Sequence, residues 1–457
     1  MIALVAAQFA LATPSGSTQT VILSTPAQGV TKAAAKPPQD EPLSLMRYVD
    51  PANGMTADNA VAYALAHNGE LLAARQELEA ARALIRQARL RPNPQVEATG
   101  SRQIAGADNS VMVTGMLPLE LGGRRATRIT VAQREAEMRE GIVADRERTL
   151  AAEVRAKFGE ALAAALKLGF VEDLLATSRR GYRLVAARVV EGRTPPLEEN
   201  MVLVEVNRLR SMREMNEGKI EVALLELRNW LGMNPDEPLR LRGDFTASIV
   251  SPPSLNEATT RALRERPDVL AARAAEELAG ARIEQARSGG RFDASLKAGY
   301  QRMNSSFPVS GIGDRGQLAP VQDVFHFFTF GVTLDVPVRN KNQGAIEATV
   351  AEAEAAKRRR EFTELTVRRE VAAAHAQYER AAKAMEIFRV GVRGQANKNL
   401  DVIRQTYELG SKTLLDYVAE QRRFIEVETA YIDAILEAYL ARVAIERAAA
   451  SPELIKR

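Results

Sequence analysis

Proline is absent from two very long stretches of this chain, and its absence constrains the fold more than any other feature. Residues 119–194 and residues 338–451 contain none, although the 457-residue chain has 20 prolines. Proline interrupts helix interiors, so both stretches predict unusually long helices. A helix over residues 126–192 would span roughly 100 Å at ~1.5 Å per residue, whereas ordinary helices have about 10 to 14 residues. These lengths do not fit ordinary globular domains.

Composition argues against several kinds of site. The chain has no cysteine, which rules out disulfides, thiolate metal sites and a cysteine nucleophile. His67, His326 and His375 are far apart, so no metal site is predicted. The net charge of +4 is the small difference between 62 basic and 58 acidic residues, which predicts no nucleic-acid partner. The sequence has no catalytic triad and no phosphate-binding loop, so neither an enzyme nor a cofactor is predicted. After residue 12, no apolar run is long enough for a helical membrane span.

The N-terminus resembles an export signal. Residues 2–12 are apolar, and Ala10-Leu11-Ala12 resembles the small-residue site that signal peptidase cleaves. The positive residues that normally precede such a run are missing, which an upstream start of translation would explain. A buried N-terminal helix or strand is the alternative. After cleavage, residues 13–55 would form a disordered lead-in.

The chain contains a tandem duplication. Residues 57–90 align without a gap with residues 255–288, and residues 118–136 align with residues 337–355. Two structural repeats are therefore predicted. The resulting organisation is a signal peptide at 1–12, a lead-in at 13–55, a first repeat at 56–234, a linker at 235–254, a second repeat at 255–450 and a C-terminal tail at 451–457.

Each repeat predicts the same order of elements: a helix, two strands, a long helix, a turn and another helix. Thr56 is the predicted N-cap of the first helix, and Asn256 is the predicted N-cap of its counterpart. Apolar residues follow at helical spacing. These helices should end near Pro92 and Gly289.

The predicted strands have one apolar and one polar face. Residues 292–301 and 328–336 alternate strictly, and residues 95–99 and 111–114 do so more weakly. Strands of about 10 residues with this pattern can cross a bilayer at a tilt, but a half-buried sheet in a soluble protein gives the same pattern. Four strands cannot close a transmembrane barrel, because about eight are needed. A membrane location would therefore require several chains to share one barrel.

Three segments carry a resemblance to a known family: LELGGRR at 119–125, VRNKNQG at 338–344 and YELGSKTLLDYV at 407–418. With the duplicated element order, they make the chain similar, over residues 56–450, to the TolC-like outer-membrane efflux proteins, most of all the heavy-metal CzcC/CusC branch. The resemblance implies a mainly α fold with a membrane β-barrel contribution. Three chains would share a 12-stranded barrel, and their helices would form an α-helical barrel across the periplasm.

The resemblance also implies a function. Such a chain is the outer-membrane channel of a tripartite efflux system, a passive exit duct rather than an enzyme. An inner-membrane resistance-nodulation-division (RND) pump would drive export through a periplasmic adaptor, and metal cations would be the cargo. Drug export or type I polypeptide secretion is the first alternative. A soluble helical adaptor or scaffold is the second, although it leaves the amphipathic strands without a purpose.

Four residues are expected at the periplasmic aperture. In the family, a tyrosine and a basic residue flanking the second interhelical turn form constricting bonds, and these positions hold Tyr407 and Lys412. Asp416 occupies an acidic ring position, and Glu198 is its counterpart at the first turn. Ala419 stands where a second acidic ring would lie. Three carboxylates around a narrow pore would favour cations, although exposed ion pairs at such a tip contribute only about 0 to 1 kcal/mol each.

The same two turns are expected to contact the adaptor. Gly192 and Leu197 lie at the first turn, and Gly410 and Leu415 lie at the second. Small and apolar residues suit close contact between helices. Simple turn chemistry and core packing explain the same residues equally well.

Overall fold

The computed structural model describes residues 44–104, 106–245 and 254–455. The predicted signal peptide and most of the lead-in lie outside the described residues, as does part of the linker. Within the described chain the order of elements is α1 (Ala57–His67), α2 (Gly69–Arg89), β1 (Gln95–Arg102), β2 (Asn109–Pro118), α3 (Arg124–Val190), α4 (Pro196–Leu231), α5 (Leu255–Glu265), α6 (Pro267–Gly289), β3 (Asp293–Ile312), β4 (Leu318–Asp335), α7 (Gln343–Ile387), α8 (Arg393–Glu408) and α9 (Leu414–Ala448).

The two proline-free stretches form the long helices that their composition predicts. Helix α3 has 67 residues, about 100 Å at ~1.5 Å per residue. In the second repeat, α7 continues through a π-helical segment, Phe388–Val392, directly into α8. None of the described helices is long and apolar enough to cross a bilayer.

The helix predicted before each pair of strands is two helices. The first repeat breaks at Asn68, whose side chain accepts a hydrogen bond from the backbone N–H of Leu71 and so caps α2. The second repeat breaks at the aligned residue, Arg266, just before Pro267. Thr56 caps α1 as predicted. The predicted Asn256 cap is wrong, because Ser254 caps α5 in a capping box and Asn256 lies inside the helix.

The duplication is visible in the core. Ala60 and Ala64 of α1 are fully buried, and so are their aligned residues Ala258 and Ala262 of α5. In both repeats the first helix packs on the long helix that follows the strands, α3 or α7. Alanine at these positions allows close approach of the two helices, which explains why both repeats contain it.

The four strands form one antiparallel sheet in the order β1-β2-β3-β4. The predicted length of about ten residues fits β1 and β2, but β3 has 20 residues and β4 has 18. The second hairpin therefore extends well beyond the first.

The register places most of the apolar side chains of the four strands on the same face. Val96 pairs with Gly115, Leu117 pairs with Leu296, and Leu296 pairs in turn with Val332. Directly paired residues point to the same side of a sheet. This face is exposed: the accessible fraction is 74% for Val96, 80% for Phe330 and 62% for Val332.

Ordered structure begins before the first repeat. Ser44 is buried, and its backbone N–H and hydroxyl donate to the Glu172 carboxylate of α3 at 2.8 and 2.7 Å. Val49 and Met55 each form a β-bridge with Leu241 of the linker. Residues 44–55 are thus held against the helices and are not part of a disordered lead-in.

Candidate functional site

The two interhelical turns have the same backbone conformation. Gly192 follows α3 with φ +71°, and Gly410 follows α8 with φ +78°. At each turn the glycine N–H donates to the carbonyl three residues back, and the next N–H donates to the carbonyl five residues back. This pair of bonds is the Schellman motif, which requires a left-handed residue and so favours glycine.

The helices that follow these turns begin differently. Thr413 caps α9 in a capping box with Asp416: each side chain accepts from the other residue's backbone N–H, at 3.2 and 3.1 Å. The Asp416 carboxylate accepts from both the backbone N–H and the hydroxyl of Thr413, and these bonds, together with the nearby charge of Lys412, lower the pKa of Asp416. Helix α4 begins at Pro196, with Pro195 as its N-cap. Proline has no backbone N–H, so Glu198, which aligns with Asp416, cannot complete such a box.

Helices α3 and α4 form the first helical hairpin, and α8 and α9 form the second. Glu198 of the first helical hairpin instead contacts Tyr407 of the second. The Tyr407 hydroxyl donates to Oε2 of Glu198 over 3.4 Å, which joins α8 to α4. Partial burial raises the pKa of Tyr407, and the negative charge of Glu198 raises it further. Tyr407 also stacks on Tyr417 of α9, with ring centroids 5.9 Å apart. Two of the four expected aperture residues are therefore in contact, although they are far apart in the sequence.

The other two expected aperture residues stay within their own turn. The Lys412 side chain is exposed and lies near Asp416, which is also exposed. Within the described chain, the carboxylate of Asp416 bonds only to Thr413. Neither residue forms a hydrogen bond or an ion pair with a described residue of α3 or α4.

The tip carries exposed apolar side chains. Leu197 is 67% exposed and Leu415 is 64% exposed, at aligned positions of the two repeats. Val190 and Leu409 are also exposed beside the turns, and the sequence did not single them out. Leu197 and Leu415 are thus surface residues rather than core residues.

A group of buried polar side chains lies behind the tip, and no pattern in the sequence predicted it. Glu205 of α4 is buried and accepts from Arg422 of α9 at 3.2 Å, besides its bonds to Arg208. Gln421 of α9 donates to Ser178 of α3 at 3.0 Å. The periodicity of three-residue and four-residue spacing shows where Glu205 lies on its own helix, but not which helix it faces.

Helix α8 is less firmly packed than the helix it continues. Helix α7 buries six side chains, from Val367 to Met385, whereas no described residue of α8 is buried. At their junction, Arg393 forms an ion pair with buried Glu428 at 2.7 Å and stacks over the Tyr431 ring. The second turn is thus carried on a long arm that has few buried contacts.

The tandem repeats, the sheet with one apolar face and the paired helical tips define a member of the outer membrane efflux protein family, to which the chain belongs. The family profile matches residues 60–233 and 258–451, well over half of the chain. One relative is the cobalt-zinc-cadmium resistance protein CzcC of Cupriavidus metallidurans, 22% identical over 403 residues that cover 87% of this chain and 90% of CzcC.

Solved structures share the fold. CusC superposes with a TM-score of 0.70 at 18% identity, over 86% of this chain and 91% of its own. A membrane protein from Pseudomonas aeruginosa superposes with a TM-score of 0.71 at 23% identity, over 90% and 93% of the two chains. The predicted TolC-like fold, mainly helical with four strands, is confirmed.

Proposed function

We propose that this protein is the outer-membrane channel of a tripartite efflux system and acts as a passive exit duct. The sheet supports this proposal most strongly. Its four strands expose an apolar face, and long helices extend from one end of the strands. An exposed apolar face of this extent is unfavourable in water and suits lipid. The family that the sequence profile identifies supports an outer-membrane location for this face.

The sheet's open edges support a homotrimer. β1 and β4 each pair on one side only within the described chain. Unpaired strand edges are not tolerated in lipid, and four strands are too few to close a barrel. Three chains of four strands would pair every edge in a 12-stranded barrel, with the helices forming a tunnel into the periplasm.

The contact between Tyr407 and Glu198 supports a closed aperture at the helical tip. It links the two hairpins of one chain at the end of α8, the arm with few buried contacts. A single bond of this kind is weak, but three chains would hold three copies around one pore. Loss of these bonds would let the hairpins separate and widen the opening, with Lys412 and Asp416 lining its rim.

The exposed tip residues support docking of a periplasmic adaptor. Leu197 and Leu415 present apolar surface at both turns, beside Gly192 and Gly410. Cysteine introduced at Arg193 or Ser411 should crosslink to the adaptor, whereas cysteine at exposed Leu84 on α2 should not. Crosslinking from Leu84 alone would contradict tip docking.

Metal cations are the proposed cargo, and an RND pump is the proposed driver. The name of CzcC, a cobalt-zinc-cadmium resistance protein, supports this choice. Carboxylates at the tip, Glu198 and Asp416, would favour cations there. Drugs or a secreted polypeptide are the alternative cargo, and sensitivity of a deletion strain to metal salts or to drugs separates the two.

Membrane fractionation tests the proposal. The protein should sediment with the outer membrane and migrate as a trimer that heating converts to a monomer. A soluble monomer would instead support the helical adaptor or scaffold.

A further inference from the structure

The four strands end at the same level on the side where they meet the helices. We call this line of strand ends the helix-side edge of the sheet. β1 starts at Gln95, which pairs with Met116 near the end of β2, and Pro118 pairs with Ser295 near the start of β3. Asp293, the first residue of β3, pairs with Asp335, the last residue of β4. The segments that flank these four strand ends therefore lie at one height.

Many basic side chains lie near this helix-side edge. Arg124, Arg128 and Arg287 each form an ion pair with a carboxylate. Six others form no ion pair with a described residue, and at least one adjoins every strand. We call them the basic belt: Arg89, Arg91, Arg125, Arg291, Arg339 and Lys341.

The turns that carry the belt are fixed to one another. Arg124 donates to the carbonyls of Gly289 and Arg291, which ties the turn before α3 to the turn before β3. The Asn342 side chain donates to the carbonyl of Ala286 at 2.8 Å, which ties the turn after β4 to α6. The belt is thus a surface of fixed geometry rather than a set of independent loops.

Exposed apolar side chains alternate with the belt cations. Leu90, between Arg89 and Arg91, is 58% exposed, and Val338, next to Arg339, is 76% exposed. Apolar side chains are thus exposed at the level of the belt as well as on the strands. An apolar surface bordered by long basic side chains fits the boundary between acyl chains and headgroups, where such cations extend towards phosphate.

Among the described residues, the strand ends farthest from the helices have no such excess of positive charge. The described turn residues there include Asp108 at the first hairpin and Asp314 with Arg315 at the second. The charge asymmetry therefore distinguishes the two ends of the strands.

We propose that the basic belt binds the phosphate groups of anionic phospholipids in the bilayer leaflet that faces the helices. This inference rests on the proposed membrane location of the sheet. A ring of cations inside the pore that contacts anionic cargo is the competing use. The lipid is favoured because the belt adjoins the exposed apolar face, whereas near the belt the other face of the strands carries polar residues such as Ser295, Lys297 and Thr333.

The test compares lipid binding by two variants of the full-length protein in neutral detergent. The belt variant carries Arg89→Gln, Arg91→Gln, Arg339→Gln and Lys341→Gln. The matched control removes four exposed cations that form no ion pair with a described residue and lie away from the belt: Arg315→Gln, Arg359→Gln, Lys383→Gln and Lys398→Gln. The probes are fluorescent phosphatidylglycerol and fluorescent phosphatidylcholine, with binding followed by energy transfer.

The wild-type protein and the control should bind phosphatidylglycerol more tightly than phosphatidylcholine, and the belt variant should lose about tenfold or more of that preference. Equal loss in both variants, or no loss in the belt variant, would overturn the proposal. So would displacement of the lipid by an equal concentration of inorganic phosphate, which indicates a free-anion site, or tighter binding of lipopolysaccharide, which indicates the other leaflet.

Fractionation separates this inference from the proposed function. A wild-type protein that forms the outer-membrane trimer but shows no lipid preference contradicts the belt alone. A protein that forms no membrane trimer contradicts both.

Discussion

Glu198 and Asp416 occupy the same position in the two repeats, the third residue of the helix after each turn, but only Asp416 bonds to its own helix terminus. The difference comes from the preceding cap. Thr413 offers a hydroxyl and a backbone N–H to Asp416, whereas Pro195 offers neither to Glu198. The Glu198 carboxylate therefore remains available to Tyr407. Divergence at a single capping residue thus allows a contact between the two hairpins.

Loss of the hairpin contact should open the tip. Tyr407→Phe combined with Lys412→Ala removes the hydroxyl that bonds Glu198 and a charge beside the turn, so the single-channel conductance in a planar bilayer should rise. Tyr417→Phe is the matched control, because Tyr417 stacks on Tyr407 and no hydroxyl bond to Glu198 is lost. Unchanged conductance of the double variant would rule out this gate.

Removal of the Thr413 cap should loosen the first turn of α9. Thr413→Ala abolishes both side-chain bonds to Asp416, and loss of such a cap costs about 0.5–2 kcal/mol. Hydrogen–deuterium exchange of residues 414–417 should become faster. Thr363→Ala, at a half-buried site inside α7, should leave exchange at the tip unchanged, and equal rates in both variants would contradict the role of the cap.

The two turn glycines should be costly to replace for a backbone reason alone. Gly192→Ala and Gly410→Ala force a side chain into the left-handed region, at about 1–2 kcal/mol each, although an added Cβ would meet no atom within 4 Å. Gly218→Ala, inside α4 and equally free of contacts, should stabilise the protein by about 0.5–1 kcal/mol. Thermal unfolding in detergent measures both shifts, and shifts of the same sign would contradict the assignment.

Glu172 should make stability fall in acid. Burial raises the pKa of this carboxyl, but hydrogen bonds from Ser44, Arg213 and Leu45 outweigh burial and hold the pKa below its ordinary value. A folded-state pKa below the unfolded value, about 4.3 for glutamate, gives stability that is present above pH 4.3 and is lost as pH falls.

The Glu172→Gln variant checks this linkage. It should be less stable than the wild type at pH 7 by about 1–3 kcal/mol, since the donors of Ser44 and Arg213 lose a charged acceptor. The difference should shrink between pH 5 and pH 3 in thermal unfolding experiments. Glu191→Gln, at an exposed position near the first turn, is the control, and a gap that stays constant with pH would refute the linkage.

Local signals predicted much of the fold. The proline gaps predicted α3 and the continuous α7 and α8, because one proline anywhere inside would have broken them. The breaks at Asn68 and Arg266 had signals too, Gly69 and Pro267 in the next positions, but the apolar spacing on either side suggested one helix. The long second hairpin was underestimated because residues 302–312 do not alternate strictly, and their strand structure depends on pairing with β4.

The site was less predictable because its contacts are not local. Family resemblance named Tyr407 and Glu198, but no pattern in the sequence shows that α8 lies against α4. The link between Glu205 and Arg422 depends in the same way on how two separate hairpins pack. Caps and turns follow from neighbouring residues, whereas the partners of a buried charge follow from tertiary packing.

Addition of the purified trimer to a planar lipid bilayer shows whether this chain forms a membrane duct. We expect discrete conductance steps that are small in the wild type and larger when Tyr407→Phe and Lys412→Ala are combined. A folded, trimeric protein that produces no conductance steps in either form would contradict this expectation.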